Sequence, residues 1–247
     1  MHRSGTSLIA RLCHEGGGDL GDTATFHPAD KWNPGGYYEQ QAVLDVNIAL
    51  INGIWGRLAY LSLPDTGTIL RRAVKLAGKI GGIDRTYRGK IVKENRFCLS
   101  LPAWLEHGAA IESVLICLRH PHAVAKSLRR RNKIPLRLGY SLWREHYRRL
   151  HQCTGGIKTW YILYEELVHA ERGPLELESS LRFLGMDIPG EKIRHIHAAN
   201  VDLKMSAIYR PPVSLPDATN AQWEELLHRH HAQFDSESGS RAAVHKA

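Results

Sequence analysis

Apolar positions recur at helical spacing from Thr6 to Cys13, so the chain opens on a loop, residues 1 to 5, that enters a helix. A glycine-rich stretch from Gly16 to Gly21 leads to the polar cluster Asn33-Pro34-Gly35-Gly36-Tyr37-Tyr38-Glu39. Helical periodicity then returns over Gln40 to Ile51, which places Glu39 near a helix N-terminus. Residues 67 to 80 read as one basic amphipathic helix, and Lys90-Ile91-Val92-Lys93 as a short strand with Lys93-Glu94-Asn95-Arg96 at its polar end. The run Ser113-Val114-Leu115-Ile116-Cys117-Leu118 is the clearest buried strand. It ends at Arg119-His120-Pro121, where Pro121 suits the first turn of a helix running to about Arg131. Further helices are expected at about 136 to 152, 174 to 184, 191 to 198 and 220 to 234, with one more strand over Thr159 to Tyr164. Strands alternating with helices imply a parallel sheet in an α/β fold. Residues 211 to 217 read as a connector. Residues 1 to 235 form the expected single domain, and Ser236 onward a flexible tail.

Composition narrows the class. The 247 residues are 43% hydrophobic and 23% charged, with a formal net charge of +8. That excludes collagen, coiled coil and disorder, and makes an anionic ligand or partner plausible. No apolar run approaches the ~20 residues of a membrane span, and the N-terminus lacks the apolar core of a signal peptide, so a cytoplasmic protein is expected. Cys13, Cys98, Cys117 and Cys153 are scattered without a CxxC pair, which supports neither a disulfide framework nor a zinc site. His228, His230 and His231 crowd one helix but have no carboxylate or cysteine motif beside them, and no metal is expected.

Two segments have the chemistry of phosphate binding. His2-Arg3-Ser4-Gly5-Thr6-Ser7 brings a guanidinium, three hydroxyls and backbone N–H groups to a helix N-terminus, where the helix dipole favours an anion. Taken alone it also reads as an ordinary helix cap. The Walker pattern is absent, because no lysine follows Gly5. In the second segment Arg119 ends a strand and Ser127 follows eight residues later in the next helix. A forked guanidinium and a hydroxyl there suit an isolated 3′-phosphate of a nucleotide, although a surface arginine and a helical serine are the plainer alternative.

Together these segments resemble the sulfotransferases that use 3′-phosphoadenosine-5′-phosphosulfate (PAPS), and are similar to their bacterial carbohydrate and small-molecule branch. The resemblance covers about residues 1 to 185 and implies a three-layer, P-loop-like fold with a short parallel sheet. It implies that Arg3, Ser4, Gly5, Thr6 and Ser7 bind the 5′-phosphosulfate and that Arg119 and Ser127 bind the 3′-phosphate. It also makes landmarks, in family order, of the segments Asn33 to Glu39, Lys93 to Phe97 and Tyr164 to Leu167. Tyr164 is expected near the adenine, with a core tyrosine as the alternative. PAPS is then the co-substrate, and the partner is a hydroxyl or amine acceptor on a small molecule, carbohydrate or lipid.

The chain departs from that family twice. Many cytosolic members have lysine where this loop has Arg3. Family members also place a hydrophobic strand before the loop, whereas Met1 here is followed at once by His2-Arg3-Ser4. The expectation is a truncated or mis-started chain lacking the first strand, or another segment in its sheet position. Sulfuryl transfer needs a base, and Glu39 stands where similar bacterial enzymes have a base glutamate. A glutamate simply facing a helix dipole is the alternative. Arg3 offers charge stabilisation, and His2 is a second candidate base. Lys93, Glu94 and Arg96 either line an acceptor pocket or form a solvated turn, and Arg129 to Arg131 either assist an anionic ligand or form a solvated face. Two competing classes are a kinase-like P-loop enzyme, which lacks its lysine and strand-end aspartate here, and a basic nucleic-acid-binding module, which lacks a recognition helix.

Overall fold

The computed structural model describes residues 1–52, 63–202 and 213–244; residues 211 and 212 of the expected connector lie outside them. The protein is α/β and mostly helical, with a short two-stranded parallel sheet flanked by helices. In chain order the named elements are α1 (Thr6–Glu15), α2 (Gln41–Asn52), α3 (Thr66–Val74), α4 (Ala77–Tyr87), α5 (Phe97–Glu106), β1 (Ser113–Leu118), α6 (Pro121–Asn132), α7 (Leu136–Cys153), β2 (Lys158–Leu163), α8 (Tyr164–Leu167), α9 (Gly173–Phe183), α10 (Gly190–Asn200) and α11 (Asp217–Val244). They form two compact units. Unit 1 is Met1–Glu112 with Glu145–Ile157, and unit 2 comprises the described residues of Ser113–Arg144 and Lys158–Ala247.

The core of unit 1 is built by α2 to α5, where Val43, Val46, Leu50, Ile69, Ala73, Ile80, Leu99 and Trp104 pack together. Asn47 stands on the buried face of α2, and its Oδ1 accepts a hydrogen bond from Trp104 Nε1 at 2.9 Å, so the amide is satisfied inside the apolar cluster. The helix expected over 67 to 80 is in fact two. It breaks at Lys75 and Leu76, whose N–H groups turn back to Arg72 O and Ala73 O at 3.2 and 2.8 Å, while the Leu76 side chain packs on the core. Helix α5 was not legible because Pro102 lies inside it and lacks the N–H that would bond one turn back.

The strand expected over 90 to 93 is not one. Ile91 N–H donates to Asp19 O at 2.8 Å and Ile91 O accepts from Gln40 Nε2 at 3.2 Å, so a loop carbonyl and a side-chain amide hold the segment. A strand needs a neighbouring strand to take its alternate backbone groups, and among the described residues this segment pairs with none.

In unit 2 the parallel pair runs in register from Ser113↔Lys158 to Leu118↔Leu163. Burial increases along both strands towards their carboxyl ends, and β2 is packed by α9 and α11. Helix α11 extends beyond the expected 220 to 234 at both ends and includes residues 236 to 244, read from the sequence as a tail. His230 on α11 is buried against Glu176 of α9, with Nε2 2.9 Å from Oε1, and Oε1 also accepts from Leu163 N–H at 2.7 Å. That histidine is a structural tie between helix and strand. Among the described residues no group of three His, Cys, Asp or Glu is placed to hold a metal, and no helix is long and apolar enough to cross a membrane.

Candidate functional site

The N-terminal loop of unit 1 turns sharply into α1. Arg3 and Gly5 both have left-handed backbone, with φ of 69° and 91°, and Gly5 caps the helix. Glycine takes that conformation without cost, whereas Arg3 does not, so the loop is held there by its surroundings. One anchor is Ser4, fully buried, whose Oγ accepts from Tyr147 Oη at 3.3 Å. Helix geometry leaves the first N–H groups of α1 without intrahelical acceptors, and Gly5 has no side chain to cap them.

The hydroxyls of this turn are tied to Glu39. Thr6 Oγ1 donates to Asn95 Oδ1 at 2.5 Å, and Asn95 Nδ2 donates to Glu39 Oε1 at 2.8 Å. Lys93 Nζ donates to the same Oε1 at 2.5 Å and to Ser7 Oγ at 3.3 Å. Glu39 and Lys93 are both buried, with side-chain exposures of 4% and 7%. The structure therefore brings together Thr6, Ser7, Glu39 and Lys93, drawn from three separate sequence segments, and adds Asn95 to them.

Glu39 precedes α2 by two residues, and its hydrogen-bond partners are an ammonium and an amide. Both bonds end on Oε1. Among the described residues no hydrogen bond reaches Oε2. The adjacent tyrosines pack locally, Tyr38 beside the rings of His14 and Phe26, and Tyr37 with its hydroxyl on Asp30 Oδ1 at 2.8 Å.

A second carboxylate lies behind the first. Glu94 accepts from Asn47 Nδ2 at 2.8 Å and from Arg96 Nη1 at 2.7 Å. Burial raises its pKa against the pull of Arg96, and the charge of Glu39 pushes it further the same way. Buried Glu94 is thus braced between Asn47 of α2 and half-buried Arg96 rather than standing in a solvated turn. Half-buried His2 has its pKa lowered well below the ordinary histidine value, chiefly by burial and then by Arg96. It is neutral near pH 7 but a weak base there.

In unit 2, Arg119 and Tyr164 each follow the last residue of a strand, and the Leu118↔Leu163 register sets those ends side by side. The Arg119 guanidinium carbon lies 4.1 Å from the centre of the Tyr164 ring, a cation–π contact. Trp143 Nε1 donates to Arg119 O at 3.1 Å and Glu165 Oε1 accepts from His120 N–H at 3.1 Å, so the strand end is fixed on two sides. Burial pushes the Glu165 carboxyl up to about 6 and the His120 imidazole down to about 4. Ser127 sits half-buried in α6, two turns into the helix.

No family model, curated protein or solved structure matches this chain. What the site can do is read from its own chemistry. An N-terminal turn with hydroxyls and a dipole end suits an anion. A neighbouring carboxylate with one oxygen anchored and the other not suits proton acceptance. Asn47, Asn95, Trp104, His120 and Glu165 went unread as single residues in the sequence. A polar Asn47 inside the apolar pattern of α2 was the one signal available for any of them.

Proposed function

We propose that the chain is a PAPS-dependent sulfotransferase with a three-layer, P-loop-like fold, acting on a hydroxyl or amine acceptor. The observation that carries this reading is the hydrogen-bonded set Thr6–Asn95–Glu39–Lys93–Ser7, which couples an anion-binding turn to a buried carboxylate through an ammonium. In this reading Arg3 to Ser7 take the 5′-phosphosulfate in unit 1, and Arg119 and Ser127 take the 3′-phosphate in unit 2, with Tyr164 beside the nucleotide.

The chemistry follows from those roles. Glu39 Oε2 takes the proton of the acceptor O–H or N–H while the acceptor atom forms its bond to sulfur. The bond from sulfur to the bridging oxygen breaks, and its electron pair leaves with the 5′-phosphate. Arg3 and Lys93 stabilise the charge that develops there. Anchoring of Oε1 by Lys93 and Asn95 fixes the carboxylate's direction before reaction.

Replacement of Glu39 by glutamine keeps size and hydrogen bonding but removes the proton acceptor. Sulfuryl transfer should fall by about 10²- to 10⁴-fold while binding of 3′-phosphoadenosine 5′-phosphate is retained. Transfer by Glu39→Gln at the parent rate across pH would move the base elsewhere, and His2 would be next.

A further inference from the structure

The net positive charge of this chain comes from one stretch. From Ser113 to Arg144 there are eight Lys and Arg and no Asp or Glu, so the rest of the chain holds equal numbers of each sign and the whole +8 resides here. Six of the eight, Lys126, Arg129, Arg130, Lys133, Arg137 and Arg144, are exposed. Among the described residues none of these six side chains has an ion-pair partner. Some exposed arginines elsewhere do have one, as Arg88 with Asp84, Arg148 with Glu145 and Arg172 with Glu166, whereas exposed Arg71, Arg85 and Arg194 have no ion-pair partner among the described residues.

Helix geometry turns the sequence cluster into a surface. Lys126, Arg129, Arg130 and Lys133 stand at i, i+3, i+4 and i+7, one face of α6, opposite buried Val124, Ala125 and Leu128. Arg137 and Arg144, seven apart, share a face of α7. The two helices are fixed to each other: a Cβ on Gly139 would stand 2.9 Å from the Ala125 Cβ, and His122 Nδ1 is 2.6 Å from Tyr140 Oη. Like charges at i, i+4 oppose α6, relieved only in its last turn by the helix dipole. Lys133 closes the helix at φ 59°, where glycine or asparagine is the usual residue, so a basic side chain stands even at a strained position.

Resting on the sulfotransferase reading, we propose that this face of α6 and α7 docks an acidic polysaccharide, one bearing sulfate or uronate groups, as the acceptor. Guanidinium forks match sulfate and carboxylate oxygens in pairs. The aromatic residues of the two helices within unit 2, Tyr140 and Trp143, are buried, so no platform is offered for stacking bases. None of the exposed large hydrophobic residues lies on α6 or α7, which leaves nothing to insert into a membrane.

Calorimetry of the full chain with heparin, neutral dextran and a short duplex DNA at one physiological salt concentration tests this. Heparin should bind, dextran should not, and DNA should bind more weakly than heparin. Arg129→Gln with Arg130→Gln should weaken heparin binding by about tenfold and lower its salt slope by about two. The control pair Lys192→Gln with Arg194→Gln, exposed on α10, should bind as the parent does. Equal losses in both pairs, no loss in the first, or tighter binding of DNA would overturn the proposal. The thermal shift given by 3′-phosphoadenosine 5′-phosphate, measured on the same proteins, reports separately on the sulfotransferase reading.

Discussion

The two segments proposed to bind phosphate use different means of holding a cation. In unit 1, Lys93 is buried and its ammonium is shared between the Glu39 carboxylate and the Ser7 hydroxyl. In unit 2, Arg119 follows a strand and lies on the face of the Tyr164 ring. A buried ion pair fixes geometry but costs desolvation of both charges, so neither partner is dispensable. A guanidinium on the face of a ring keeps its charge and is held by the ring. The first arrangement suits a reacting centre whose atoms must not move, the second a binding contact.

The largest expected effect breaks the first arrangement. Lys93→Met leaves Glu39 buried with its charge uncompensated, and urea denaturation should show a loss of about 3–5 kcal/mol. The double variant with Glu39→Gln should recover part of that loss. Independent, additive losses would mean that the pair is not a unit. Arg119→Ala should weaken binding of 3′-phosphoadenosine 5′-phosphate by about 1.5–3 kcal/mol, with Ser127→Ala costing less, as calorimetry would read.

The smallest effect sharpens the comparison through pH. Glu165, with its folded pKa raised to about 6, favours folding only while protonated, so its contribution is present below its unfolded value and lost as pH rises through 6. His120, lowered to about 4, acts in the opposite sense, and its neutral form contributes stability that is lost as pH falls towards 4. The two offset each other across the weakly acidic range. Glu165→Gln removes the first and should make stability rise more steeply with pH between 4.5 and 6, by on the order of 1–2 kcal/mol across the window. A slope unchanged from the parent would show that Glu165 is not held in its protonated form.

The sequence was legible where one segment decides its own fate. Strands β1 and β2 are short apolar runs bounded by charges, and α6 has Pro121 at its first turn, so their limits could be read within a residue. The segment Lys90 to Lys93 has the same look but lacks a neighbour strand, which no local pattern reports. The individual groups of the unit 1 site were legible as a loop, a glutamate and a charged turn. Their union was not, because Glu39 and Lys93 meet across 54 residues of sequence. The bracing of buried Glu94 by Arg96 went unread for the same reason, since its third member, Asn47, comes from α2.

The most direct test of the sulfotransferase reading compares two nucleotides that differ by one phosphate. In thermal denaturation of the full chain, 3′-phosphoadenosine 5′-phosphate should raise the melting temperature well above the shift given by the same concentration of AMP, because a ligand stabilises the native state in proportion to its affinity. Arg119→Ala should bring the two shifts together. Equal shifts from both nucleotides in the parent protein would contradict a 3′-phosphate site at Arg119 and Ser127, and with it the PAPS-dependent reading.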